Sequence, residues 1–440
     1  MSKFRKQHMA IPWHELVEQD SDTRAINASL KEKATLVGRM GLSMLSVGTG
    51  AWRVRASMNK VSRALGITCN ADIGLLAISY TCIEGGETYT NSISINTTGV
   101  NTDKVYYLDL FADSFAERVD KYSVEQFHSI LDTIMSAKGH YNAWQLGLSA
   151  GFACAAFTFL LGGGPIEMLC ALFGAGVGNF VRKKMLERHI TLFANVCVGV
   201  ASACTVYVLL IKLAEAFANI PTAHQAGYIC SMLFIIPGFP LITGGIDLAK
   251  LDLRSGIERI TYALLIIVVA TLTAWVMATV YHFKPADFEE FKMDEKLRFA
   301  LWMVTSFVGV YGFSMMFNST KKMASIAGCL GMCTNTFRLS LIEFAHAPIP
   351  LAAFIGALCS GLIASGIKKE VGVPRITLTV PSIVIMVPGM FMYKGIYFIA
   401  KNELATGGMW LSKALLIVMS LPLGLICARI LTDENFRKSS

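Results

Sequence analysis

From residue 144 onward the chain is a succession of long apolar runs separated by short polar breaks. A helix that crosses a bilayer needs about 20 predominantly apolar residues. Runs of that size fall at roughly 144–161, 164–181, 190–211, 227–245, 260–281, 299–317, 323–342, 348–366, 377–398 and 409–428. They predict an α-helical polytopic membrane protein of about ten transmembrane helices. The preceding residues follow other rhythms. Residues 25–48 place Ile26, Leu30, Ala34, Val37, Met40 and Met44 on one face, which predicts a helix. A second helix follows at 52–65 and stops at Gly66. Strands are predicted at 71–83, 88–98 and 104–111, the second from the alternation of Ile93 and Ile95 with Ser92, Ser94 and Asn96. Asn96–Asn101 reads as a turn, and helices at 113–120 and 123–138 lead to the first span. The expected organisation is a polar tail (1–23), a small α+β soluble domain (24–143), and two membrane segments (144–285 and 286–440).

Charge sharpens this division. The 440 residues are 54% hydrophobic and only 16% charged, with mean hydropathy +0.52 and net charge +8. Residues 1–143 hold 15 basic and 15 acidic groups, so the whole excess lies in the apolar part. If the soluble domain is cytoplasmic, the loops on its side carry 15 Lys/Arg, among them Arg182, Lys183, Lys184, Lys250, Arg254, Arg259, Lys369 and Lys438. The opposite side carries nine, with Lys284, Lys292, Lys296 and Arg298 crowded beside Asp287, Glu289, Glu290, Asp294 and Glu295. That bias puts both termini in the cytoplasm of a cell (inner) membrane protein and requires an even number of spans. Residues 1–23 carry Lys3, Arg5 and Lys6 but no apolar core, so no cleaved signal peptide is expected. No dense basic stripe points to nucleic acid. The 11 cysteines form no C-x-x-C pair and read as small lipid- or helix-facing residues rather than disulfides or metal ligands, with no cofactor expected.

The spans also repeat. Residues 155–187 match 311–343 at a shift of 156: Phe157 meets Phe313, Asn179 meets Asn335, Arg182 meets Arg338 and Glu187 meets Glu343. Residues 235–248 match 386–399 at a shift of 151, aligning Pro237-Gly238 with Pro388-Gly389 and Gly244 with Gly395. Two halves of five spans result. Five is odd, so the second half enters the membrane inverted, a construction suited to alternating access. A Pro-Gly pair in mid-span removes a backbone donor and breaks the helix. Inside a bilayer such a break persists only where it faces protein or a watery cavity, and matched breaks point to a midplane substrate site.

The stretch GLSMLSVGTGAWRVRASMNKVSRALGIT (41–68), the two strands after it and GVNTDKV (99–105) resemble the N-terminal module of the threonine/serine exporter (ThrE) family. The later Pro-Gly spans resemble that family's C-terminal module, so the likeness runs from about 30 to 430. It implies export of threonine or serine. In some relatives the modules are separate chains linked to dicarboxylate export, which keeps succinate as the alternative substrate. One departure is Arg55, where family members carry an acid.

A zwitterionic amino acid needs a positive partner for its carboxylate and a negative or carbonyl partner for its amine. Broken-helix ends supply both kinds. The expected substrate contacts are Pro237, Gly238, Thr243, Asn335, Pro381, Ser382, Pro388, Gly389 and Lys394, with Arg338 a second cation for a dicarboxylate. Glu167 and Asp247 are the expected proton-coupling acids, as ionisable groups in or beside spans. The other expected partners are protons, the lipid bilayer and a second copy of the chain. Gly147-Leu148-Ser149-Ala150-Gly151 spells a hydrolase motif, but it lies inside an apolar span where small residues serve helix packing. His128 and His140 read as isolated surface histidines. A membrane-anchored enzyme or sensor using the soluble domain is the rival class, and a channel would move solute without proton coupling.

Overall fold

A computed structural model describes residues 9–18, 23–218, 222–283, 288 and 293–437. Lys3, Arg5, Lys6, Lys284, Asp287, Glu289, Glu290, Lys292 and Lys438, and the side chain of Lys369, lie outside the described residues. The chain divides into two units: Met1–Lys138 with Ile246–Arg259, and Gly139–Gly245 with Ile260–Ser440.

In the first unit, α1 (Leu30–Ser46) opens with a capping box in which Ser29 and Glu32 satisfy each other's backbone N–H. It is buried nearly all round, and α2 (Ala51–Ala64) follows it. Three antiparallel strands, β1 (Thr68–Ile73), β2 (Ala77–Glu84) and β3 (Glu87–Ser94), form a sheet in that order. Gly85 and Gly86, at φ 57° and 90°, close the β2–β3 hairpin, a geometry that suits glycine at both positions. The expected strand at 71–83 is thus two strands joined by a turn. The expected strand at 104–111 is wrong: α3 (Thr102–Ser114) is a helix. Asn101 caps it by accepting from the Lys104 N–H at 3.1 Å. Val105, Leu108, Phe111 and Ala112 are its buried residues, a helical spacing hidden in a run rich in aromatic and β-branched residues. The last helix here, α4 (Val124–Ser136), has a Ser123–Gln126 capping box.

His128 is not a surface histidine. It is fully buried on α4, stacked near Trp13 and bonded to Arg39 at 3.0 Å. Burial and the adjacent Arg39 guanidinium push its pKa down to about 3, so the ring is neutral. His14, in the short 3₁₀ helix Trp13–Leu16, sits between Asp132 and Glu125, each at 2.5 Å. Hydrogen bonds to those two carboxylates raise its pKa above the ordinary 6.5.

The second unit contains α5 (Ala143–Leu160), α6 (Pro165–Glu187), α7 (Leu192–Ala218), the 3₁₀ helix Thr222–Ile235, and most of α8 (Gly238–Ala249) and α9 (Leu253–Val280). It continues through α10 (Glu295–Met316), α11 (Lys321–Glu343), α12 (Ile349–Val371), α13 (Arg375–Val384), α14 (Gly389–Ala400) and α15 (Leu404–Thr432). Among the described residues six helices are long and apolar enough to cross a membrane, or up to eight if each of two bent pairs is one span. The protein is an α-helical, multi-pass membrane protein. The expected spans at 164–181 and 323–342 correspond to α6 and α11, 23 residues each, which are not among those eight. Each carries several charges, among them Arg182, Lys183 and Lys184 on α6 and Lys321, Lys322 and Arg338 on α11. The hydrolase-like motif lies within α5, where Ser149 Oγ donates to the Gln145 carbonyl at 2.7 Å. A Cβ on Gly151 would stand 2.5 Å from the Leu172 carbonyl oxygen of α6, so the motif's glycine permits close helix packing.

Candidate functional site

Both Pro-Gly pairs interrupt helices. The 3₁₀ segment Gly227–Ile235 meets α8 at a bend of 60°, and α13 meets α14 at a bend of 52°. The two breaks are built from the same hydrogen bonds. The Gly238 N–H donates to the Ile236 carbonyl at 2.8 Å, and the Gly389 N–H to the Val387 carbonyl at 2.9 Å. Pro388, at φ −82° and ψ 56°, is the centre of an inverse γ-turn. Ile236 donates to Leu233 and Val387 to Val384, both at 3.1 Å. Leu241 donates to Pro237 at 3.2 Å and Met392 to Pro388 at 3.1 Å. Each bond in one break has its counterpart 151 positions later in the other.

The breaks also touch each other. A Cβ on Gly238 would lie 2.5 Å from Val384 Cγ2, and a Cβ on Gly389 would lie 2.9 Å from Leu233 Cδ2. Leu233 and Val384 are themselves counterparts at the 151 shift, so the contact is reciprocal. Helices α5 and α10 behave alike at the 156 shift. A Cβ on Gly312 would meet Ala153 Cβ at 3.0 Å, and one on Gly309 would meet Ala156 Cβ at 3.6 Å. Phe157 and Phe313, counterparts in the sequence, meet edge to face at 6.4 Å. Left-handed residues that end helices recur too: Gly162 with Asn318 at 156 and Leu251 with Asn402 at 151.

Phe157, Phe313, Leu233, Ile236, Val384, Val387 and the two glycines enclose a cavity of about 10 Å³. That is about one water-sized probe, far below the roughly 300 Å³ lower end for ligand pockets, so this conformation closes the space between the breaks. Helices α8 and α14 both begin at its wall, bringing two positive dipole ends to the same place. On the helices that flank the breaks, the hydroxyls of Tyr228 and Tyr393 hydrogen-bond each other, and Tyr228 donates to the Ala274 carbonyl at 3.4 Å.

Of the residues expected from sequence, Gly238 and Gly389 line this cavity, and Pro237 and Pro388 immediately precede them. The others are buried but do not line the cavity. Thr243 Oγ1 donates to the Phe239 carbonyl at 3.0 Å. Ser382 shares a hydroxyl bond with Ser360 at 2.7 Å, one residue after Pro381 within α13. Asn335 donates to Ser306 Oγ and accepts from Arg338, both at 2.9 Å. The Lys394 ammonium sits 4.7 Å from the Trp410 ring centre. Glu167 is buried and accepts from the Gly164 N–H at 3.0 Å, capping its own helix.

Asp247 lies in the first unit, fully buried, with Arg259 Nε at 3.2 Å. Its Oδ2 also accepts from Ser255 Oγ at 2.8 Å and the Ala51 N–H at 3.0 Å. Arg259 donates onward to the Thr49 carbonyl at 2.5 Å and the Gly48 carbonyl at 3.3 Å. Arg259, expected among the loop cations, is instead a buried ion-pair partner. Tyr228 and Tyr393 were not singled out either, because a tyrosine in an apolar run gives no signal of its hydroxyl's partner. Arg55, the departure from the family pattern, pairs with Asp252 at 2.7 Å.

Comparison with known proteins gives a consistent picture. Residues 35–281 match a family described as "Putative threonine/serine exporter", and residues 302–431 match one described as "Threonine/Serine exporter, ThrE". The chain is 28% identical over 245 residues to the "Probable succinate transporter subunit YjjP" of Escherichia coli (strain K12), covering 53% of this chain and 91% of that protein. The protein with the same description from Klebsiella aerogenes is 28% identical over 244 residues, covering 53% and 90%. "Pheromone-regulated membrane protein 10" of Eremothecium gossypii is 24% identical over 251 residues, covering 54% of this chain and 32% of that one. No solved structure matches.

Proposed function

The chain belongs to the threonine/serine exporter family, and from that premise we propose that it is a secondary exporter of small polar metabolites, threonine and serine foremost, working by alternating access. Transport rather than catalysis follows from the family. The finer reading is ten spans in two inverted halves, an α+β domain in front of them, and both termini cytoplasmic in the inner membrane. One observation carries it: the two Pro-Gly breaks share their hydrogen bonds at a shift of 151 and touch each other reciprocally. Reciprocal contact between equivalent residues is what a pseudo-two-fold axis through the breaks requires.

The mechanism follows from the geometry of that axis. Rocking one half against the other would part Gly238 from Val384 and Gly389 from Leu233 and open the closed cavity. The starts of α8 and α14 would then receive the substrate carboxylate, and unwound carbonyls its ammonium. Thr243, Asn335, Ser382 and Lys394 are the polar side chains proposed to complete the path. Glu167, buried on α6, is the proposed proton carrier. Asp247 is the second acid assigned to coupling, and its use would require breaking the Arg259 pair.

A second substrate has specific support. Two relatives are described as probable succinate transporter subunits, and a dicarboxylate would draw on Arg338 and Lys394. The test is counterflow of radiolabelled threonine, serine and succinate in proteoliposomes, with and without a pH gradient. Exchange of threonine or serine that accelerates with the gradient is expected. Exchange of succinate alone reassigns the substrate, and movement of none removes the exporter reading.

A further inference from the structure

The first unit contains a larger and more polar cavity, about 560 Å³, that the transport path does not use. Its floor is the outer face of the sheet. Antiparallel register lines up Asn70, Thr81 and Thr90 in one row and Asp72, Ser79 and Ser92 in the next. The Thr81 and Thr90 hydroxyls bond at 2.9 Å and those of Ser79 and Ser92 at 3.0 Å. An outer sheet face this rich in small hydroxyl and amide groups offers both donors and acceptors. The wall is the α8–α9 corner, Leu251–Arg254, with Arg55 of α2. Arg55 pairs with Asp252, and Arg254 with Asp72 and, at 3.2 Å, with Glu258 just behind the lining.

Two features point to a ligand. The Asp252 side chain is only 10% exposed, yet its Oδ2 meets no hydrogen-bond donor among the described residues. A sheltered carboxylate oxygen without a donor is costly and calls for one. The charged lining is also balanced, with two guanidiniums and two carboxylates. A dianion would meet no net positive charge there, whereas a zwitterion finds a partner for each end. The Arg254–Asp72 pair is exposed, and exposed pairs contribute about 0–1 kcal/mol, so a ligand can take either partner at small cost.

We propose that this cavity binds a small zwitterionic amino acid with a polar side chain. The ammonium goes to Asp252 after a rotation of its carboxylate, the carboxylate to Arg254, and the side chain to the Thr81–Thr90 row. Because Leu253 and Arg254 form the first turn of α9, occupancy would hold the start of that helix to the sheet. That regulatory consequence rests on the transporter reading; the binding does not.

The test is calorimetric titration of the full-length protein in nanodiscs with L-threonine, L-serine and succinate. Replacing both hydroxyls of a bonded pair by methyls of the same shape leaves a strand nearly neutral in stability, so Thr81→Val/Thr90→Val keeps the fold. That variant and Asp252→Asn are each expected to bind threonine roughly tenfold more weakly, the equivalent of one lost charge-assisted or hydroxyl contact. The titrations are repeated in the Gly389→Leu background, which blocks the membrane breaks, so that threonine binding there reports this cavity alone and is expected to keep its sensitivity to both cavity variants. Succinate is not expected to compete. Threonine binding that is absent from the wild type, unchanged in both cavity variants, or displaced equally by succinate overturns the site. Binding without flux would remove the exporter reading and leave the cavity standing.

Discussion

Replacing Arg259 with Met should loosen the α1–α2 turn. Arg259 holds Asp247 and two carbonyls of that turn, Gly48 and Thr49, and it is about 2% exposed. Met keeps the bulk but removes the charge, so Asp247 stays buried without its counterion. Breaking a buried pair by removing one partner costs about 3–5 kcal/mol. At about 1.4 kcal/mol per decade, local opening should become roughly 10²- to 10³-fold more frequent, or more. The readout is hydrogen–deuterium exchange in peptides covering residues 48–54, where the Ala51 N–H rests on Asp247. The double variant Asp247→Asn/Arg259→Met separates charge from packing. Asparagine keeps an acceptor for Ala51 and Ser255 while removing the stranded charge, so the double variant should be more stable than the single one by about 2 kcal/mol. Wild-type exchange in Arg259→Met, or a double variant looser than the single, would refute the clamp.

The Trp13–Leu16 segment should show opposed pH limbs. His14 is raised by its carboxylates, so its contribution is complete below about 6.5 and fades as pH rises through the higher folded value; His14→Gln should flatten that limb in Trp13 fluorescence. His128, held neutral down to about 3, loses stability as pH falls below 6.5 toward that value, and His128→Phe should flatten the acid limb in the same titration. In the membrane, Gly238→Leu and Gly389→Leu press on Val384 and on Leu233 with Ile236, an overpacking cost of about 1–3 kcal/mol that the closed state must carry. Both variants should insert yet lose counterflow; unchanged flux in both would take the breaks out of the mechanism.

Much of the membrane half was legible from residue order. Apolar runs located the helices, with ends that differ by up to about seven residues, and Pro237-Gly238 and Pro388-Gly389 marked both bends. The soluble part was harder. The run Val105–Phe111 carries strand-forming side chains, and only the Asn101 cap with the packing of Leu108 and Phe111 resolves it as a helix. The polar site candidates were chosen by chemistry and proximity in sequence. Side-chain direction, which depends on neighbours, puts Asn335 on Ser306 and Ser382 on Ser360 rather than against the breaks.

The sequence by itself determined where the long apolar helices lie and where two of them must break. Each helix satisfies its own backbone hydrogen bonds, and hydrocarbon penalises every exception, so the rule is local. Tertiary structure alone decided which charges are partners. Arg53 and Asp109 stand 56 positions apart, and nothing in either neighbourhood announces the other. A buried pair forms because folding removes water from both groups at once and leaves each the other's remaining partner. The touching of the two breaks was likewise a matter of packing, since a repeat in sequence specifies equivalent parts but not that they meet.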